Sequence, residues 1–168
     1  KTATAVNYHS NGKKMAEGVY VETKKDGQWK YYNDLEIISS EEIYQKGVPT
    51  GMWKTYYDDG KLLEECPYMN GLKDGVLKQY FSDHSLKSEV GYLKGKLNGT
   101  SKFYYPNGKL LLTGQLKNDL KEGLWTAYKD NGAKENEIEY KDGVVIKEVY
   151  FDKAREAEIK NEVKAIPE

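Results

Sequence analysis

The segment GMWKTYYDDGKLLEECPYMNGLKDG, residues 51–75, decides the fold because it is one copy of a repeated pattern. Its terminal glycines are 24 positions apart, and the same spacing recurs along the chain without an insertion, which is typical of a repeat architecture. The glycine column consists of Gly27, Gly51, Gly75, Gly99 and Gly123. The tyrosine column consists of Tyr8, Tyr32, Tyr56, Tyr80, Tyr104 and Tyr128. We therefore predict that residues 1–149 form an array of about six copies.

The composition indicates an ordered but thin protein. Only 38% of the residues are hydrophobic and 32% are charged, which is too little apolar material for a thick two-layer core. The 15 tyrosines, 3 tryptophans and 3 phenylalanines supply flat apolar area, and the net charge is −1, so the chain does not resemble a disordered one. Near-neutral charge with a single arginine, Arg155, lacks the basic footprint of nucleic-acid-binding proteins, so we expect no nucleic-acid partner.

Each copy has the pattern of a β-hairpin. Steps such as Asp59-Gly60 lie between short runs rich in aromatic and branched residues, which is the strongest local signal for a hairpin. This signal predicts a type I′ turn, in which both central residues have positive φ. Glu36 and His84 replace the glycine in two copies. Glutamate tolerates positive φ poorly, so we expect a looser turn, or one of another type, at Glu36.

Centring the turn on Asp59 and Gly60 fixes the register of the hairpin, because residues whose numbers sum to 119 then face each other. This rule brings oppositely charged side chains together in three neighbouring copies. Such cross-strand pairs contribute about 0.2 to 1 kcal/mol each, so they specify the register more than they stabilise the sheet. The predicted pairs are Lys30 with Glu41, Trp53 with Cys66, Lys54 with Glu65 and Lys78 with Glu89.

Alternation of side chains along a strand sorts each copy into two faces. The tryptophan face, which we expect to hold the core, carries Trp53, Tyr57, Leu62, Cys66 and Tyr68. The ladder face carries Lys54, Tyr56, Leu63 and Glu65. The tyrosine column therefore runs along the ladder face.

The C-terminal segment, residues 150–168, breaks the period and is rich in helix formers. Phe151, Ile159, Val163 and Ile166 fall within about one third of a helical wheel. Since repeat arrays need capped ends, we predict a short helix that caps the last copy. A helix that docks onto a partner is the alternative.

The copy that begins at Gly51 resembles the bacterial MORN-repeat variant, whose pattern is G-x-W-x-x-Y-x-x-N/D-G-K-L-x-x-E-x-x-Y-x-x-G. The matching residues are Gly51, Trp53, Tyr56, Gly60, Leu62, Glu65, Tyr68 and Gly71. The resemblance covers residues 5 to 145 and implies an all-β fold, an elongated single antiparallel sheet of stacked hairpins. It also implies use as a scaffold or interaction surface, and some members of the family are labelled antitoxins. The copies that begin at Gly27 and Gly99 depart from the pattern.

No cluster of residues indicates catalysis. His84 lies in the stretch Asp83-His84-Ser85, but this stretch occupies a hairpin-turn position, where consecutive residues seldom converge on one reacting atom. Cys66 is the only cysteine, which excludes an intrachain disulfide and a cysteine-based metal site. We therefore expect no enzyme activity, no cofactor and no metal.

The tyrosine ladder is the candidate partner-binding site, because exposed aromatic rings anchor proteins or stack on sugars. Its residues are Tyr32, Tyr56, Tyr80, Tyr104 and Tyr128. The leading hypothesis is a non-enzymatic scaffold that binds a protein, as an antitoxin-like or cell-surface molecule. A cell-wall glycan is the alternative ligand, and direct contact with membrane lipid is the least favoured. The competing structural explanation is that these rings pack against the neighbouring hairpin.

The start of the chain bears on its location. The sequence begins at Lys1 rather than at methionine, so we expect that a preceding segment has been removed. This favours export to the periplasm or the cell surface, with the cytoplasm as the alternative.

Overall fold

The computed structural model describes residues 1–151, which form one open antiparallel sheet. Each strand is hydrogen-bonded to its neighbours in sequence order, without a crossover. The strands are β1 (Thr2–Tyr8), β2 (Lys14–Val21), β3 (Lys24–Tyr32), β4 (Ile38–Gln45), β5 (Val48–Tyr56), β6 (Leu62–Met69), β7 (Leu72–Lys73), β8 (Gly75–Tyr80), β9 (Leu86–Leu93), β10 (Lys96–Tyr104), β11 (Leu110–Lys117), β12 (Leu120–Tyr128), β13 (Lys134–Lys141) and β14 (Val144–Tyr150). Strands β7 and β8 continue one another across Asp74. The predicted single sheet of stacked hairpins is confirmed for these residues.

The predicted register is also confirmed. Lys54 lies opposite Glu65, and Trp53 lies opposite Cys66. The corresponding pairs in the neighbouring copies are Lys30 with Glu41 and Lys78 with Glu89. Because register follows from side-chain alternation and from loop length, a strictly periodic sequence specifies it well.

The hairpin turns are not of type I′, so that prediction was wrong. Gly60 has a φ of +81°, whereas Asp59 has no positive φ. The Gly60 N–H donates to the Tyr57 carbonyl oxygen at 2.9 Å, and the Tyr57 N–H donates to the Lys61 carbonyl oxygen at 2.8 Å. This is a type I turn followed by a left-handed residue in a G1 bulge. Next to the turn the pairing is one residue off the predicted register, because Tyr56 lies opposite Leu62. A second irregularity between Thr55 and Tyr56 restores the predicted register, so that Thr55 lies opposite Glu64.

Glu36 adopts the same turn, contrary to the expectation of another type. Its φ is +63°, and its N–H donates to the Asn33 carbonyl oxygen at 2.9 Å. The Asn33 side-chain oxygen accepts the N–H groups of Leu35 and Ile37, each at 3.0 Å. The two strands and the Asn33 cap therefore hold a non-glycine residue in the left-handed region. His84 takes the same position with a φ of +69°.

Type I′ turns do occur, but they join one copy to the next. Lys46 and Gly47 have φ values of +51° and +85°, and both central residues of a type I′ turn need positive φ. The Gly47 N–H donates to the Lys25 carbonyl oxygen at 2.7 Å, and the Gly71 N–H donates to the Pro49 carbonyl oxygen at 2.9 Å. Each turn is thereby tied to the preceding one, which makes a continuous turn edge. The other pairs with positive φ at both positions are Glu22–Thr23, Asn70–Gly71, Lys94–Gly95, Asn118–Asp119 and Asp142–Gly143.

The glycine column lies inside strands rather than in turns. Gly51 has a φ of +65°, and the pairing of β4 with β5 shifts there, so that residues 51–53 face the single residue Glu42. Gly75 has a φ of +123° at the corresponding place. These are β-bulges, which bend a strand and increase its twist.

The tryptophan face holds the core, as predicted. Trp29, Cys66, Leu77 and Trp125 are at most 5% exposed. The indole of Trp29 lies over Gly18, where an added Cβ would come within 2.3 Å of the ring, and its Nε1 donates to the Val19 carbonyl oxygen at 3.1 Å. A large ring therefore needs a residue without a side chain beneath it. Trp53 itself is only half-buried.

The periodicity ends in β14. Lys147 follows Gly123 by 24 positions and so replaces the next glycine of the column. The shift in pairing here places Val149, rather than Tyr150, opposite Glu137. Phe151 continues the strand, since its N–H donates to the Glu135 carbonyl oxygen at 3.0 Å. The predicted capping helix over residues 150–168, with Ile159, Val163 and Ile166, otherwise lies outside the described residues.

Candidate interaction surface

The tyrosine ladder lies on the ladder face, and four of its hydroxyl groups are bound internally. Each of these hydroxyls donates to a glutamate fifteen positions earlier, in the preceding hairpin. The pairs are Tyr32 with Glu17 at 2.5 Å, Tyr56 with Glu41 at 2.6 Å, Tyr80 with Glu65 at 2.9 Å and Tyr104 with Glu89 at 3.0 Å. The fifth ladder residue, Tyr128, has Thr113 at the corresponding position. The ladder therefore links each copy to the next.

These hydrogen bonds change the acidity of the phenols. Burial and then the glutamate acceptor raise the pKa of Tyr32 and of Tyr80 to about 12. The same two causes raise the pKa of Tyr56 and of Tyr104. The folded sheet therefore favours the protonated phenol, which is the form that donates these hydrogen bonds. The five ladder rings are half-buried, so part of each ring faces solvent.

Lysines from the same hairpins complete the ladder. The Lys30 Nζ lies 3.8 Å from Glu41, and the Lys78 Nζ lies 3.9 Å from Glu89. Glu41 is thus shared between a lysine and the hydroxyl of Tyr56. Half-exposed ion pairs of this kind contribute little to stability, but they set a regular pattern of charge on the surface.

Exposed apolar side chains form a second feature of the ladder face, which the sequence analysis missed. Alternation from Lys54 and pairing with Glu65 place six of them on this face, near the turn edge. We call them the turn-edge patch: Val48 (44% exposed), Met52 (39%), Met69 (58%), Leu72 (47%), Val76 (46%) and Leu93 (50%). The sequence did contain a signal for this patch, since Val48 is followed 24 positions later by Leu72, and Met69 by Leu93.

The patch is continuous from strand to strand. Met69 and Leu72 are cross-strand partners in β6 and β7. Val48 lies over the next turn, 3.6 Å from the position of an added Cβ on Gly71, and Leu72 lies over the following turn, 3.4 Å from that position on Gly95. Polar residues border the patch on both sides, because Lys24 and Lys96 occupy the column of Val48 in the adjacent copies. An apolar centre with a polar rim is typical of a protein interface.

The tryptophan face, by contrast, is covered by its own lysines. The Lys25 Nζ lies 4.8 Å from the centre of the Trp29 ring and 5.0 Å from the centres of the Tyr31 and Tyr44 rings. Lys121 makes the same kind of contact with Trp125 at 4.7 Å. Such cation–π contacts satisfy the ring faces, and the lysine stems cover apolar surface. Lysines thus cover the rings of the tryptophan face around Trp29 and Trp125.

The candidate catalytic residues have structural roles. The Asp83 side-chain oxygen accepts the N–H of Ser85 at 2.9 Å and its hydroxyl at 2.6 Å, so this stretch forms the predicted hairpin turn. His9 Nε2 lies within hydrogen-bonding distance, 2.9 Å, of the Tyr32 carbonyl oxygen. Burial raises the pKa of the Cys66 thiol, which keeps it protonated. Among residues 1–151, no group of three or more histidine, cysteine or acidic residues could hold a metal ion.

Comparisons with known proteins identify the repeat. The family described as "MORN repeat variant" matches residues 49–70, 97–118 and 121–142. A search of curated proteins gives no match. MORN repeats are generally non-catalytic modules that act as scaffolds for binding proteins or membrane lipids. No helix within the described part of the chain is long and apolar enough to cross a membrane. The chain therefore contains three MORN repeats of the variant type, and the hairpins outside these three matches follow the same 24-residue period.

Proposed function

We propose that this array is a non-enzymatic scaffold that binds a protein partner through its ladder face. The observation that carries the proposal is the unequal distribution of exposed apolar residues. The six side chains of the turn-edge patch lie on the ladder face, whereas the rings of the tryptophan face contact one another and their covering lysines. Exposed contiguous apolar surface with a polar rim marks binding sites in soluble proteins.

The tyrosine ladder belongs to the proposed surface. The partially exposed rings of Tyr32, Tyr56, Tyr80, Tyr104 and Tyr128 would contact the partner, while the hydroxyl groups of the first four stay bonded to glutamates within the array. Rings that are already held in place lose little freedom on binding, which favours affinity. Both an antitoxin-like role and a cell-surface role are forms of this protein-binding function.

A cell-wall glycan fits the ladder less well than a protein. Sugar recognition uses the open face of a ring together with free hydrogen-bonding groups, as in other stacking sites. Four ladder hydroxyls donate to glutamates, and the rings are half-buried. A protein is therefore the favoured ligand.

Two exposed threonines on opposite faces allow a matched test. Thr100 lies on the ladder face and Thr55 on the tryptophan face. A photoreactive amino acid is introduced at either position, and each protein is irradiated in lysate and in cell-envelope fractions of the source cells. We expect one protein to be cross-linked from position 100 and not from position 55.

Three outcomes would contradict the proposal. The first is equal cross-linking from both positions, and the second is cross-linking from position 55 alone. The third is the absence of any cross-linked protein together with retention of the array on insoluble envelope polysaccharide, which would favour the glycan.

A further inference from the structure

We infer that the turn-edge patch is a docking site for an amphipathic helix with acidic flanks. The inference rests on the proposed function and narrows it to one part of the ladder face and to one class of ligand. Three properties of the patch support it: its direction across the strands, the lack of free backbone groups around it, and the charges on its rim.

The apolar row runs perpendicular to the strands. Val48, Met69, Leu72 and Leu93 lie near the ends of successive strands, and Met52 and Val76 lie farther from the turns on the same face. Neighbouring strands are about 4.8 Å apart, so this row presents an apolar side chain at about that interval over roughly 14 Å. The ligand must therefore carry apolar groups at a matching interval.

An α-helix provides this interval. Its apolar positions at i, i+3, i+4 and i+7 recur with each turn, which advances about 5.4 Å. Three turns, about eleven residues, cover the row from Val48 to Leu93 with about one apolar side chain for each strand. A helix laid across the strands thus stays in register with the row, whereas side chains on one side of an extended peptide recur about every 6.6 Å.

An extended ligand cannot add a strand to the sheet at the patch. Strands β5, β6 and β9 have hydrogen-bonded neighbours on both sides, and the turn N–H of Gly71 donates to the Pro49 carbonyl oxygen. Recognition by strand addition needs an unpaired strand edge. Side-chain packing is the remaining mode, and it suits a helix.

The rim of the patch is basic. Lys46, Lys94 and Lys96 are exposed, and none of them forms an ion pair within residues 1–151. Two carboxylates lie beside these lysines, since Asp26 accepts the Lys46 N–H at 2.7 Å and Asp74 accepts the Lys94 N–H at 3.3 Å. Three ammonium groups beside two carboxylates leave this part of the rim with an excess of positive charge. A helix with glutamate or aspartate beside its apolar stripe complements this rim, and a basic helix is repelled.

Synthetic peptides test the inference directly. The probe is a labelled fourteen-residue peptide with leucine at helical positions i, i+3, i+4, i+7 and i+11 and glutamate on its flanks. One control peptide carries lysine in place of glutamate, and another has the acidic composition with leucine at alternate positions. Binding is measured by fluorescence anisotropy. We expect the acidic helix to bind at least tenfold more tightly than either control.

Substitutions locate the site. Leu72→Ser combined with Leu93→Ser should weaken binding of the acidic helix at least tenfold. Leu35→Ser removes a leucine that is 68% exposed in a hairpin turn and should leave binding unchanged. Because all three positions are exposed, the variants should retain the wild-type circular dichroism spectrum. Lys94→Glu combined with Lys96→Glu should reverse the preference between acidic and basic peptides.

Several results would overturn the inference. Equal affinity for the three peptides, or binding unaffected by the Leu72 and Leu93 substitutions, would exclude a helix site at the patch. Patch-dependent binding to phosphatidylserine vesicles, without binding of the acidic helix, would assign the patch to membranes instead. Cross-linking from position 100 together with any of these results would leave the proposed function standing and refute only the helix.

Discussion

At the scale of single residues, the hydroxyl groups on the two faces differ in whether they have hydrogen-bond partners within the sheet. On the ladder face, four tyrosine hydroxyls bond to glutamates of the preceding copy. On the tryptophan face, Ser88 and Ser101 are both buried, but only Ser88 has a partner, the side-chain oxygen of Gln79 at 3.2 Å. The Ser101 hydroxyl has no hydrogen-bond partner within the described residues.

The two serines give opposite predictions. Ser101→Ala removes a buried hydroxyl without a partner and should raise the free energy of unfolding by about 1 kcal/mol. Ser88→Ala removes the hydroxyl that donates to the side-chain oxygen of Gln79, and that oxygen then lacks this partner. The substitution should therefore lower the free energy of unfolding by about 1 kcal/mol. Urea denaturation of both variants measures the difference. A loss of stability in Ser101→Ala would mean that its hydroxyl is bonded in solution.

The ladder phenols predict a loss of stability at alkaline pH. A pKa that is higher in the folded chain than in the unfolded chain stabilises the fold below the unfolded value, near pH ~10. The pKa of Tyr32 and of Tyr80 is raised to about 12, so this stabilisation should disappear as the pH rises from ~10 to ~12. Tyrosinate absorbance and thermal melts across this range measure both effects. Tyr80→Phe should lack one late-titrating phenol, and titration of all phenols near pH ~10 would contradict the hydrogen-bonded ladder.

At the scale of elements, the bulge glycines differ in the space around them. Gly75 has a φ of +123°, and an added Cβ would come within 2.6 Å of the Pro67 ring. Gly123 has a φ of +64°, with nothing within 4 Å of an added Cβ. The two sites therefore differ both in backbone conformation, since only the φ of Gly123 lies in the left-handed helical region, and in the space for a side chain.

Alanine substitutions at these glycines should have unequal effects. Gly123→Ala should lower the free energy of unfolding by about 1 kcal/mol, because alanine tolerates positive φ poorly. Gly75→Ala should lower it further, because the methyl group also displaces Pro67. Thermal and chemical denaturation of the two variants provide the comparison. Equal losses would show that neither the φ of Gly75 nor its contact with Pro67 adds to the cost of a side chain there.

A hairpin turn offers a stabilising change. Glu36 has a φ of +63° at a position where other copies have glycine, such as Gly60. Glu36→Gly relieves this conformation and should raise the free energy of unfolding by roughly 0.5 to 1 kcal/mol. Gly60→Glu is the reverse substitution and should lower it. A rise in melting temperature for the first variant and a fall for the second would support this explanation.

At the scale of the whole molecule, residues 1–151 form a single layer, in which each copy contacts its neighbours along the sheet. Stability should then be a sum over copies and over the contacts between them. The uninterrupted 24-residue period makes this testable, because one complete copy can be removed without changing any register.

Deletion of residues 75–98 joins Asp74 to Gly99, so that Asp74 takes the place of Asn98 before the column glycine. The shortened chain should fold with the same circular dichroism signature, and its denaturant m-value should fall by about one sixth because less surface is exposed on unfolding. Deletion of residues 75–86, half a copy, removes one strand of a hairpin and should unfold the array. Retained folding in the half-copy deletion would contradict a strict hairpin repeat.

The period, the register and the assignment of the two faces were determined by the sequence alone. They depend on spacing and alternation, which are local properties, and Lys54 opposite Glu65 is a direct consequence of them. Tertiary structure decided the turn types and the bulges, because Asp59-Gly60 suits more than one loop and the strand pairing selects among them. It also decided that four ladder hydroxyls are bonded within the array and that the patch around Leu72 is exposed. Burial depends on which neighbouring side chains cover a residue, and composition and period do not contain that information.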